Sequence, residues 1–324
     1  MKLRFAAALA AGVAALTLAP VAAQAAPHHG DDSVRYASIK ACKVKGGVEV
    51  PCGAWRLVMH SGMRTTLPGA QSVALEANGK SSKWAAAPVA VSGNGKRIAY
   101  FTTSGRLAVR TVGGGVQVFG KDALPRAAQY DVTLQLSDDG SRLAAEIGGD
   151  KPRGTRIFDT ATGQRLGTVP AAQALMGFSA DGEEVLTSAD GDESVTDLSV
   201  YGDDGQEQLR ATPPQLVSAN GPQALSGDGR TVAAMVMSSK PQLVLYDLES
   251  DQVVARKHVT LPKGDLYMID WTGPTQVTLH LARYSGSKPT RLTIVQIDTG
   301  SGAVKVRDRY SFLKDSFTFA ACGG

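Results

Sequence analysis

The stretch Gly177-Phe178-Ser179-Ala180-Asp181-Gly182-Glu183-Glu184-Val185-Leu186-Thr187 decides the reading of the fold. An apolar segment ends on Ser, a short turn closes on Gly, and a second apolar run follows. The same unit opens at Ser92-Gly93-Asn94-Gly95, Ser137-Asp138-Asp139-Gly140 and Ser226-Gly227-Asp228-Gly229, with a degenerate copy at Trp271-Thr272-Gly273-Pro274. The anchors lie 45, 42, 47 and 45 residues apart. A period of about 40–45 residues with alternating strands marks propeller blades. No window sustains the 3.6-residue periodicity that helical repeats need.

Four short strands are predicted around the Ser179 anchor, at 175–178, 184–187, 197–201 and 206–209. In the Asp-x-Gly turn the carboxylate caps the backbone and Gly supplies the positive φ. A second set of turns, at Asp159–Gly163, Asp247–Asp251 and Asp298–Gly302, joins third to fourth strands. Recurring once per unit, these acids read as turn chemistry rather than as calcium ligands. A Pro follows each outer strand at Leu67-Pro68, Leu124-Pro125, Val169-Pro170, Thr212-Pro213 and Leu261-Pro262, where a ladder donor is no longer wanted. Residues 303–309 supply a sixth outer strand. The prediction is an all-β, six-bladed β-propeller over residues 36–322, with five or seven blades as alternatives. The last innermost strand comes either from 34–41, leaving the ring unlaced, or from Ser316–Ala321 returning to the amino-terminal blade. The second is preferred, because it removes two exposed edges.

This organisation resembles the TolB-like and WD-repeat class of β-propellers. The likeness rests on the Ser-x-Asp-Gly anchors at 137–140, 179–182 and 226–229 and the Asp-x-x-x-Gly turn at 159–163, and covers roughly residues 36–322. The chain has no room for the amino-terminal α/β domain that TolB carries, and the Gly-His and Trp-Asp signatures of strict WD repeats are absent. The resemblance implies a propeller that binds something and transfers no partner, since fold does not carry function.

Residues 1–25 read as a secretory signal: Lys2 and Arg4, an apolar run from Phe5 to Leu18, and an Ala23-Gln24-Ala25 cleavage site. The run is shorter than the roughly 20 residues of a membrane span, and a buried core helix is the alternative. Residues 26–35 follow as a solvated tail. Cleavage leaves 32 basic against 30 acidic residues, so charge gives no reason to expect nucleic acid or an anionic membrane as partner. The expected localisation is secreted and extracytoplasmic, and the expected state is a monomer without a membrane span. Three cysteines suit an oxidising compartment. A hairpin with a three-residue loop at 46–48 sets Cys42 opposite Cys52, within disulfide reach. A bridge from Cys322 to either one is the rival.

No nucleophile elbow, phosphate-binding loop or dinucleotide fingerprint occurs, and Ser179 belongs to a repeat turn. The five histidines show no ligand spacing. The acidic run Asp190–Asp197 imitates the start of a calcium loop but has Val195 and Tyr201 where that loop needs Gly and Glu, so a solvated loop is the plainer reading. No catalytic, cofactor-binding or metal-binding residue is assigned. The runner-up is a lactonase-like or lyase-like enzyme with a divalent ion among acids in the central channel.

The loops joining second to third strands share one face with the blade-to-blade connections. Three carry Lys-Pro, at Lys151, Lys240 and Lys288. Pro fixes the start of the third strand there; the lysines are either solvated or a basic rim for an acidic partner, an unidentified protein or envelope component. The longest connection, 71–88, brings Lys80, Lys83 and Trp84 to this face. Trp84 either packs on its own blade or anchors a contact.

Overall fold

Each anchor folds as a hydrogen-bonded turn that its sequence specifies locally. Ser137 Oγ donates to Asp139 Oδ1 (2.7 Å) and accepts from the Arg142 N–H (3.0 Å), and Ser179 repeats the pattern with Asp181 (2.7 Å) and Glu184 (3.0 Å). Gly140 and Gly182 close these turns at φ 75° and 79°. The outer turns work alike: Asp159, Asp247 and Asp298 accept from the backbone N–H of Thr162, Ser250 and Ser301 at 2.8, 2.7 and 2.7 Å. These carboxylates are committed to turns, as expected.

The computed structural model describes residues 32–191, 195–286 and 288–323, with only the backbone of Ser285 and Lys288. The signal segment 1–25, the first part of the expected tail, and Asp192 and Glu193 of the acidic run lie outside the described residues. Six four-stranded antiparallel sheets form the ring. From the axis outward, blade 1 is Ser316–Ala321, Val34–Lys43, Glu49–Met59 and Arg64–Thr66. Blade 2 is Val89–Val91, Arg97–Phe101, Leu107–Thr111 and Val116–Val118. Blade 3 is Val132–Leu136, Arg142–Ile147, Gly154–Asp159 and Arg165–Val169. Blade 4 is Ala174–Phe178, Glu184–Asp190, Thr196–Gly202 and Glu207–Ala211. Blade 5 is Gln223–Leu225, Thr231–Val236, Gln242–Asp247 and Gln252–His258. Blade 6 is Asp265–Gly273, Gln276–Ser285, Lys288–Asp298 and Val304–Ser311. The first strand begins at Val34, two residues ahead of the boundary read from the sequence.

The shared blade is the closure that forms. Ser316–Ala321 pairs antiparallel with Val34–Lys43, from Tyr36↔Ala321 to Ile39↔Thr318. One buried apolar cluster lies between each pair of neighbouring blades. The blade 6–blade 1 cluster gathers Tyr36, Val58, Ala282, Leu292, Ile294, Tyr310 and Phe312. Both sheet faces are thus covered, which is why the strands read as short apolar runs.

Two hairpins rise from the face of the second-to-third-strand loops. Val73–Leu75 and Ser81–Ala86 form an additional two-stranded sheet before blade 2, where the long connection placed it. In blade 1 the hairpin 40–52 extends beyond the sheet and is closed by the Cys42–Cys52 disulfide, with a Cα separation of 5.9 Å. The predicted register is corrected. Val44 N–H bonds to Val48, so the loop is 45–47 rather than 46–48, and Cys42 pairs with Val50 while Cys52 pairs with Lys40. The cysteines are diagonal neighbours on one face, still within reach of a bond. Cys322 is free and buried, bridging to Val91 beside the blade 1–blade 2 core.

Residues 43–49 are exposed, so the disulfide constrains a local arm. A Cys42→Ser/Cys52→Ser variant frees that arm in the native state as well as in the unfolded chain. Its global stability should therefore fall by less than the roughly 3 kcal/mol that chain entropy assigns to a 15-residue loop. Hydrogen exchange should quicken at 41–51 and stay unchanged in blades 3–5; loss of protection throughout would show that the arm supports the ring.

Candidate functional site

The loop face collects the molecule's exposed apolar side chains. Among the described residues, Val44, Val48, Trp84, Tyr130, Met237, Tyr267 and Tyr284 stand on this side, while Met63, Val116 and Val254 lie elsewhere. Trp84 is 56% exposed and leans on Tyr130, with ring centroids 4.8 Å apart and planes tilted by 42°. It does not pack into its own blade. Two polar ties fix its hairpin to blade 3: Leu75 N–H donates to Gln129 Oε1 (2.8 Å), and Tyr130 Oη donates to Glu76 Oε2 (2.6 Å). The bond to Glu76 pushes the Tyr130 hydroxyl up to about 12. Between this hairpin and the start of blade 3 runs a groove of ≈ 460 Å³ that includes Ser104, Arg106, Lys121 and Arg126.

Lys80 and Lys83 are exposed on the inserted hairpin, and Lys40, Lys43 and Lys45 are exposed on the neighbouring blade 1 arm. Lys151 and Lys240 are exposed in the second-to-third-strand loops of blades 3 and 5. Lys288 starts the third strand of blade 6, its side chain outside the description. The three Lys-Pro positions therefore share a face but belong to different blades. The lysines gathered on adjacent elements are those of the two hairpins.

The second locus is the central channel. Its walls are the innermost strands of the blades, enclosing ≈ 430 Å³ whose lining runs from Val89, Pro222 and Tyr267 near the loop face to Gly93, Asp138 and Gly323 at the anchor turns. Asp138, from the blade 3 anchor turn, and Asp270, from the innermost strand of blade 6, both line it. Burial, then the charge of Asp139, pushes the Asp138 carboxyl up to about 6. Burial, then the charge of Asp138, pushes Asp270 up to about 7. Asp270 Oδ2 is shielded from solvent and has no hydrogen-bond partner. A glycine makes room for Asp138: a Cβ on Gly93 would overlap its carboxylate, whereas one on Gly323 would meet Asp270 Oδ2 at 3.5 Å, an ordinary contact. Behind the site, buried His280 meets the Gly323 carbonyl through Nε2 at 3.1 Å. No group of three or more His, Cys, Asp or Glu with metal-holding geometry occurs among the described residues.

No protein-family model matches the sequence, and no curated protein matches it. Among solved structures, a protein assigned as TolB from Agrobacterium tumefaciens aligns with 86% of this chain over 90% of its own, at 15% identity and a TM-score of 0.47. TolB from Acinetobacter baumannii aligns with 86% of this chain over 67% of its own, at 15% identity and a TM-score of 0.45. The β-propeller domain of the trilobed protease from Pyrococcus furiosus aligns with 85% over 82%, at 12% identity and a TM-score of 0.49. In fold the chain is similar to TolB. At such identities the likeness is one of fold alone, and the sites above stand on their own geometry.

Sequence reasoning anticipated an insertion before blade 2 and singled out Trp84, which is exposed there, and did not single out the channel acids. A signal for Asp138 was present. Its place in the anchor is held by Gly93, Ala180 and Gly227 in sister copies, small residues that suit the crowded axis, so an Asp there stands out. Asp270 gave none, because the shift in pairing between Leu266 and Met268 changes which residues of that strand face the axis.

Proposed function

We propose that the protein is a secreted, non-catalytic propeller acting as a monomeric binding scaffold at or outside the cell envelope. Its contact surface is the loop face, and its partner is an acidic protein or envelope component. The observation that carries this reading is Trp84: a large, exposed ring held by Tyr130 on an inserted hairpin and flanked by Lys80 and Lys83. Aromatic anchors on rigid supports dominate interface energetics, and lysines around them select acidic surfaces. The Cys42–Cys52 bond fits an oxidising compartment, and no helix among the described residues is long and apolar enough to cross a membrane.

The test is binding of the purified protein to isolated envelope material. Trp84→Ala should weaken binding by roughly 30-fold, the effect of a hot spot worth about 2 kcal/mol. Lys80→Glu with Lys83→Glu should abolish the dependence on low salt. A Lys151→Glu, Lys240→Glu, Lys288→Glu variant asks separately whether the basic rim contributes. Unchanged binding in all three would remove the loop face from consideration.

The presence of Asp138 and Asp270 in the lining of one channel supports a second reading, a lactonase-like or lyase-like enzyme with a divalent ion there. If a divalent ion resides there, Ca²⁺ at a hundred times its dissociation constant stabilises by about 2.7 kcal/mol, and Asp270→Ala abolishes the shift.

A further inference from the structure

Asp270 Oδ2 lacks what the turn carboxylates described above have, a donor. Asp159, Asp247 and Asp298 are satisfied by turn N–H groups, and Asp197 by Arg210 and Thr212. Asp270 Oδ2 faces none. A buried carboxylate without a donor is costly, and a second carboxylate beside it adds to the cost. Arg97, beside the same turn, is directed to the Gly140 carbonyl and to Thr160. Asp139 is held within its turn by Ser137 and Ser141. The Cys322 thiol, pushed up to about 12 by burial and then by the charge of Asp308, stays neutral and supplies no counter-charge. His280 is engaged with the Gly323 carbonyl. The site thus offers negative charge and acceptors to something that brings positive charge and donors.

The walls say what kind. Met176, Phe178, Tyr267, Trp271 and Phe319 line the same space, and Tyr267 and Phe319 lie with ring centroids 5.6 Å apart. A hard metal ion wants six to eight oxygens, and two carboxylates supply at most four. A volume of ≈ 430 Å³ exceeds what an ion needs and falls in the range of organic-ligand pockets. Aromatic and thioether walls suit an apolar stem and a stacked cation. A guanidinium has a planar fork of five donors, enough to satisfy two carboxylates at once.

We propose that the central channel binds an organic cation, a guanidinium carried on an apolar stem, between Asp138 and Asp270. Asp138 lies in an anchor turn, on the face opposite the Trp84 hairpin, and the proposal is independent of the loop-face reading.

The experiment is calorimetric titration of the whole protein at pH 8 with Nα-acetyl-L-argininamide, with the neutral isostere Nα-acetyl-L-citrullinamide, and with a capped Gly-Arg-Gly peptide. The argininamide should bind roughly tenfold or more tighter than the citrullinamide. Asp270→Asn and Asp138→Asn should each erase that difference, while circular dichroism and thermal melts show the variants folded. Binding should weaken from pH 8 to pH 5.5 as the two carboxyls take up protons. Tighter binding of the peptide than of the amide identifies a protein-borne arginine, and equal binding identifies a free guanidino compound. The proposal is overturned if the arginine and citrulline probes bind alike, if neither binds, or if Ca²⁺ occupies the site and displaces the argininamide.

Discussion

Asp270→Asn should make the protein more stable at pH 8, by about 2–4 kcal/mol once screening by channel water is allowed for. The carboxyl of Asp270 is raised from 3.8 to about 7 by burial and by Asp138. A folded-state value above the unfolded one means that the folded protein takes up a proton first. Stability therefore rises as pH falls from about 8 through the folded values near 7 and 6, and this gain is complete near pH 4. Asp138, raised to about 6, acts in the same direction. The turn carboxylates act oppositely: hydrogen bonds from Thr162, Ser250 and Ser301 hold Asp159, Asp247 and Asp298 below their ordinary range. Their contribution is present above the unfolded value and disappears as pH falls through the depressed ones. The wild type should be most stable near about pH 5, between the two sets. Thermal melts from pH 4 to 8 check this. The Asn variant should show a flatter rise between pH 8 and 5. A profile that falls steadily from pH 8 to pH 5, or an Asn variant less stable than wild type at pH 8, would mean that Asp270 has a partner in the folded protein.

How far the sequence could be read follows from the range of the interactions involved. Ser179, Asp181 and Gly182 satisfy one another within a few residues, so the anchor announced itself and its period gave the propeller repeat, with six blades counted from the outer strands. The Pro marks worked because an outer strand no longer needs a donor on its far side. The cysteine pair was readable, yet its register slipped, because the choice between loops 45–47 and 46–48 depends on where Gly46 and Gly47, at φ 92° and 78°, fall in the turn. The channel was illegible. Which residues of Asp265–Gly273 face the axis depends on pairing shifts against Gln276–Ser285, and Asp138 and Asp270 reach one cavity from blades 3 and 6. Those are long-range facts.

Removing Ser316–Gly324 should abolish cooperative folding. The deletion strips the innermost strand from blade 1, exposes the ladder edge of Val34–Lys43, and uncovers the cluster between blades 6 and 1. Phe319 would be lost from its stack on Phe312, where the centroids are 3.6 Å apart, and Phe312 itself meets Tyr36 edge-on at 4.8 Å. A milder version isolates the packing from the strand. Phe312, 4% exposed, replaced by Ala should cost about 3–5 kcal/mol. Trp84→Ala, at a ring 56% exposed, should change stability far less. A closed ring differs from a row of independent blades in its response to the deletion. In a row, blades 3–5 would keep their exchange protection when the ends come apart, since each contacts only its neighbours. In a ring closed by a shared blade, opening that interface leaves an unpaired ladder edge and two uncovered sheet faces at once, so protection should be lost throughout. A synthetic peptide spanning 312–324, added to the truncated chain, should restore a single sharp melt if the strand acts through pairing. Retained protection in blades 3–5 without the peptide would show that the closure trims the ring rather than holds it.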